Sequence, residues 1–171
     1  MPKVTLTKIG SAERQLREAI RLFFENRDPL ATHTLVAAAG QVTADLLKAQ
    51  GVPSIIRSGS MVKPEHRNHV LKTMFAPENF LKHADRDPDA TLDFNTDVTA
   101  FFMLAALAEY ELVAGKRVPG TDVFMMWCFL RYPDLIAEGP QMDEVRKAAE
   151  RARAAGCSPD DKADFLARLA V

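Results

Sequence analysis

Between Asn79 and Asp89 the chain gathers an amide, a lysine, a histidine, an arginine and three aspartates into eleven residues: Asn79, Lys82, His83, Asp85, Arg86, Asp87 and Asp89. Histidine is the side chain most readily poised for proton transfer near neutral pH, and Lys82, Asp85 and Arg86 are close enough in sequence to move its pKa in either direction. So charged a segment reads as an ordered site, with Asn79, Lys82, His83, Asp85 and Arg86 as its reactive or ligand-contacting groups and Asp87 and Asp89 as further binding residues. The competing reading is a helix C-terminus that runs into a connector whose Asp and Asn side chains bond to their own backbone. On either reading, His83 is expected to belong to an ordered polar cluster with at least one of Asn79, Asp85 and Asp87, because Phe80 and Leu81 pack inward just before it and Pro88 restricts the chain after it.

The remaining histidines offer less. His66 and His69 are three apart on one face of a predicted helix, and with His83 they would supply nitrogen ligands of the kind zinc accepts. A solvated first turn accounts for the same spacing, and the expectation is that no metal or other cofactor is bound. His33 lies one turn into a long helix, where a buried imidazole needs a partner. It is either a core residue or a binding residue facing the same cleft as the aspartate-rich loop. The apolar run Met125, Met126, Trp127 and Phe129 can line a ligand pocket or simply fill a core. None of the Gly-rich phosphate loops, nucleophile elbows, H-E-x-x-H helices or paired E-x-x-H motifs is present, which leaves open whether the chain is an enzyme.

Composition narrows the classes of partner. In the 171-residue chain, 22 lysines and arginines stand against 23 acids, with the signs interspersed, which argues against a polyanion surface as the main function. A protein or small-molecule partner, or a second copy of the chain, is the expectation. The two cysteines, Cys128 and Cys157, are too few for a disulfide framework, and the polar start of the sequence lacks the apolar core of a secretory signal. A cytoplasmic location follows as an expectation. The longest apolar run, Phe101 to Ala108, is flanked by Asp97 and Glu109 and falls short of a bilayer span, so no membrane association is expected.

The elements that must hold these residues are helical throughout, since every strongly periodic stretch follows the 3.6-residue pattern. Ser11 is placed to cap a first helix with Leu16, Ala19, Ile20, Phe23 and Phe24 on its inner stripe. Asp28 and Pro29 open a second, which runs to Gln50 and is apolar around most of its circumference, as a central helix must be. Pro64 opens a short helix through Phe75 that Pro77 ends. Asn95 caps a second central helix that stops at Gly115, and Thr121 starts another, closed by Pro133. Beyond Gly139-Pro140 two more helices, the last capped by Ser158, form a hairpin over the Trp127 region. This predicts one all-α domain over 1–171: an antiparallel bundle, 11–138, with an accessory C-terminal hairpin, 141–171.

The string Asn79-Phe80-Leu81-Lys82-His83-Ala84-Asp85-Arg86-Asp87-Pro88, preceded by the paired helices from Ala12 to Leu47, resembles a family of short bacterial helical proteins over roughly Ser11 to Leu135. That likeness implies a helical fold and no particular chemistry. The order of helices also bears a more distant resemblance to HEPN domains, bundles that include RNA-cleaving toxins. In their signature an arginine, often followed by asparagine, precedes a histidine by four to six residues. Here Asn79 and His83 match, whereas Glu78 stands in the arginine's place, and a carboxylate cannot stabilise phosphorane charge as guanidinium does. What the resemblance implies is endoribonuclease chemistry at His83, with Lys82 or Arg86 as the cation, and RNA as a partner under that reading alone. The leading expectation is a binding or regulatory module whose functional surface is the 79–89 loop.

Overall fold

The computed structural model describes residues 3–59, 63–83, 85, 87–135 and 140–169. Among them, seven α-helices follow one another without a strand: α1 (Lys8–Phe24), α2 (Pro29–Ala49), α3 (Pro64–Lys82), α4 (Asp97–Ala114), α5 (Thr121–Arg131), α6 (Pro140–Ala154) and α7 (Lys162–Leu169). The fold is an all-α helical bundle. No helix of the described residues is long and apolar enough to cross a membrane.

α1 starts a turn earlier than Ser11, because Thr7 takes the cap: its hydroxyl accepts from the Gly10 amide at 3.0 Å. Of the expected stripe, Leu16, Ala19, Ile20 and Phe24 are buried, with Ala12 beside them, while Phe23 is only half-buried. Asn26, at φ 53°, reverses the chain in the left-handed region that Asn tolerates, and Asp28 then caps α2 by accepting from Leu30 and Ala31 at 2.8 and 3.0 Å. α2 is the central helix, packed against α1 on one side and α4 on the other, with Gly40 set against Ala106. α4 is buried on several sides, by Ala100, Phe102, Met103, Ala106, Leu107 and Tyr110. Its start lies two residues beyond Asn95, whose carboxamide oxygen accepts from the Asp97 amide at 3.0 Å.

α3 departs from expectation. Pro77 lies inside it, and the helix continues to Lys82. An interior proline removes one backbone bond and costs about 3 kcal/mol in an isolated helix. Here the next residue, Glu78, is anchored by Arg57 at 2.8 Å and by Lys82 at 2.7 Å, which ties the last turn to the body of the protein.

The C-terminal helices close the same core. Phe165 is fully buried and stacks on Phe24 of α1 with ring centroids 5.4 Å apart, while Arg153 donates to the Leu130 carbonyl at 2.9 Å. The α7 cap is Asp161 rather than Ser158: its carboxylate accepts from the Asp164 amide at 3.2 Å. Gly120, at φ 90° just before α5, packs close against the end of α7. A Cβ there would lie 2.9 Å from the Leu169 side chain and 3.4 Å from Ile20. Of the expected Gly139-Pro140 boundary, Gly139 lies outside the described residues.

Candidate functional site

Among the described residues the expected polar cluster around His83 is not assembled. His83 ends α3, its backbone amide bonded to the Asn79 carbonyl at 3.1 Å, and its half-buried ring makes no hydrogen bond to Asn79, Asp85 or Asp87. Asn79, Lys82, Asp85, Asp87 and Asp89 are exposed, and Arg86 lies outside the described residues. Phe80 and Leu81, expected to pack inward, are each 38% exposed. The carboxylates of this segment are solvated, which is the lower-energy outcome for charges that no buried partner meets. What is anchored in this stretch is Glu78. Burial raises its pKa, but hydrogen bonds from Lys82 and Arg57 outweigh that and hold the carboxyl below its ordinary value. The Lys82 that the HEPN-like reading would use is therefore committed to the residue in the arginine's place. His66 and His69 are exposed on the first turn and a half of α3, and no group of three or more His, Cys, Asp or Glu side chains among the described residues converges as metal ligands.

His33 is a core residue. It is fully buried between the rings of Phe94 and Phe102, at 5.2 and 5.4 Å, and its Nδ1 pairs with the Thr99 hydroxyl at 3.1 Å. Nε2 has no partner. Burial pushes the imidazole pKa down against the opposing pull of Glu78, so the ring is neutral at pH 7. An aromatic relay joins the two, from His33 through Phe102 to Phe75 at 5.3 Å, with the Arg57 guanidinium 4.5 Å above the Phe75 ring.

A cavity among the described residues opens elsewhere. A cleft of about 470 Å³, within the range of small-molecule sites, lies where five helix ends meet. Phe23 and Asn26 contribute from the end of α1 and the turn after it, Pro29 and Thr32 from the start of α2, and Thr96, Asp97, Thr99 and Ala100 from the start of α4. Trp127 and Arg131 come from α5, and Pro159, Asp160 and Lys162 from the turn that opens α7. Trp127 forms the inner wall. Its indole is locked by a bond from Nε1 to the Pro159 carbonyl at 2.8 Å and by edge contact with Phe23 at 4.6 Å. Of the apolar run read as pocket or core, Trp127 thus lines the cleft, while Met126 lines a second, smaller cavity of about 190 Å³ beside Cys157.

The charges of the cleft divide into matched and unmatched. Arg27 pairs with Glu25 at 3.1 Å and Arg131 with Asp160 at 3.5 Å. Lys162 has neither ion pair nor hydrogen bond among the described residues; its half-buried ammonium rests 3.9 Å above the centre of the Phe23 ring and 6.0 Å from that of Trp127. Burial pushes its pKa down, with Asp97 opposing. Lys162 is also the first residue of α7, so it stands at the end of the helix where the peptide dipoles present positive charge. Asp97, exposed at the first position of α4, makes no ion pair among the described residues.

Neither Lys162 nor Asp97 was identifiable as a site residue from the sequence. The available signal is local: the capping run Ser158-Pro159-Asp160-Asp161 puts a lysine at the first helical position, where acids are favoured. What that lysine faces is set by Phe23 and Trp127, more than 30 residues away in the chain. Compared with known proteins, the chain matches no family model, no curated protein and no solved structure.

Proposed function

We propose that this chain is a cytoplasmic helical binding module that takes a small organic anion into the cleft beside Trp127. The observation that carries this reading is Lys162: a half-buried ammonium with no ion pair among the described residues, lying on an aromatic face at the wrong end of a helix dipole and opening on a cavity of small-molecule size. A cation–π contact offsets about 0.5–2 kcal/mol of lost hydration. A ligand carboxylate meeting the same ammonium in a partly desolvated cleft adds a charge-assisted hydrogen bond that water supplies less well. The class is the one the sequence suggests, a binding module, but its centre lies at the cleft and not at the 79–89 loop. Ribonuclease chemistry at His83 draws no support from Lys82, which Glu78 holds.

Trp127 is the only tryptophan in the chain, so its emission reports on the cleft directly. Titration with phenylacetate is expected to shift or quench that emission in a saturable way, and Lys162→Met to weaken the binding about tenfold or more. Emission unchanged up to about 10 mM phenylacetate, the limit of weak specific binding, would contradict the reading.

A further inference from the structure

Of three cations around the cleft, two are matched by carboxylates, Arg27 by Glu25 and Arg131 by Asp160; of its two acids, Asp160 is likewise matched. Among the described residues one cation and one anion are left over, Lys162 and Asp97. They line the same cavity and act on one another electrostatically, yet they do not come within ion-pair distance. Were they in contact, each would neutralise the other and the cleft would want an uncharged occupant. Held apart on one cavity, they present the complement of a molecule that carries both a carboxylate and an ammonium.

The wall between them is apolar and aromatic, formed by Phe23 and Trp127, and Trp127 is immobilised by its own hydrogen bond. Among the described residues the Asn26 and Thr96 side chains at its edge make no hydrogen bond, the latter at the N-cap of α4 without a capping bond of its own. We infer that the cleft binds a free amino acid with an apolar side chain, its carboxylate on Lys162, its ammonium toward Asp97 and its side chain against Phe23 and Trp127. This rests on the anion-binding reading above and adds the second charge to it.

Three probes that share a phenyl ring separate the charges: L-phenylalanine carries both, phenylacetate only the carboxylate and phenethylamine only the ammonium. With Trp127 emission and calorimetry as readouts, phenylalanine is expected to bind about tenfold more tightly than either analogue. Asp97→Asn should bring phenylalanine down to the affinity of phenylacetate and leave phenylacetate unchanged; Lys162→Met should weaken phenylalanine and phenylacetate together. If phenylacetate binds as tightly as phenylalanine and both depend on Lys162, the cleft is an anion site and the zwitterion inference is wrong. Phenethylamine binding the tightest overturns it as well. If no probe binds, the anion-binding reading falls with it.

Discussion

The two ends of α4 each carry a carboxylate, and their surroundings are opposite. Glu109, one turn from the C-terminus, is buried and accepts from the Thr43 hydroxyl at 3.0 Å, the Ser54 hydroxyl at 2.6 Å and the Ile55 amide at 2.7 Å. Ser54 in turn accepts from the Arg57 amide at 2.9 Å, so one side chain pins the loop between α2 and α3 to the bundle. Asp97, at the other end, is exposed beside a half-buried lysine it does not touch. A buried charge whose bonding capacity is filled from within the protein stabilises structure, whereas charges left unfilled around a cavity have capacity for something else.

The largest expected effect falls at the filled end. Glu109→Ala strands two hydroxyls and an amide in the interior, and urea denaturation should show a loss of about 3–5 kcal/mol. Glu109→Gln keeps the shape but turns an NH₂ toward one set of donors, so a loss of about 1–3 kcal/mol is expected. If either variant proved as stable as the parent, the distinction between the two ends would collapse.

An intermediate effect concerns pH. The His33 pKa lies below the ordinary 6.5 because burial penalises the charged ring. Below about pH 6.5 the unfolded chain therefore takes up a proton that the native imidazole refuses, and stability falls as pH falls. Glu78, whose pKa is held below 4.5, contributes stability that is present above that value and lost as pH drops through and beneath it. Unfolding free energies measured from pH 7.5 to 5.5 should decline in the parent chain and run flatter in His33→Leu.

The smallest expected effect on stability is at the open end. Lys162→Met removes a half-buried ammonium from the positive end of a helix and leaves a flexible apolar side chain on the Phe23 ring. The melting temperature should stay level or rise slightly, corresponding to about 0–1 kcal/mol. A drop comparable to that of Glu109→Ala would mark Lys162 as a structural residue.

Much of the bundle was readable because amphipathic stripes and caps are local. The α1 stripe and the Asp28-Pro29 start of α2 are where periodicity places them. Pro77 misled because a helix breaker acts on local preference, and the Arg57–Glu78–Lys82 bonds that override it include a partner 21 residues away. Glu109 illustrates the same limit. In the sequence it is the polar flank of an apolar run, yet it is buried because residues 54 and 55 fold back over it. The 79–89 motif had the composition of a site, but among the described residues its charges face solvent. The cleft is assembled from five helix ends, and its two unmatched charges are 65 residues apart, a pairing that no spacing rule reveals.

That Lys162 is held ready for a ligand's negative charge is tested by comparing Trp127 emission during phenylacetate titration in the parent chain and in Lys162→Met at pH 7, with melting temperatures taken on the same samples. The expected result is saturable binding in the parent, weakened about tenfold or more in the variant, with a melting temperature that does not fall. Equal binding in both proteins, or a variant that loses its fold along with its ligand, would contradict it.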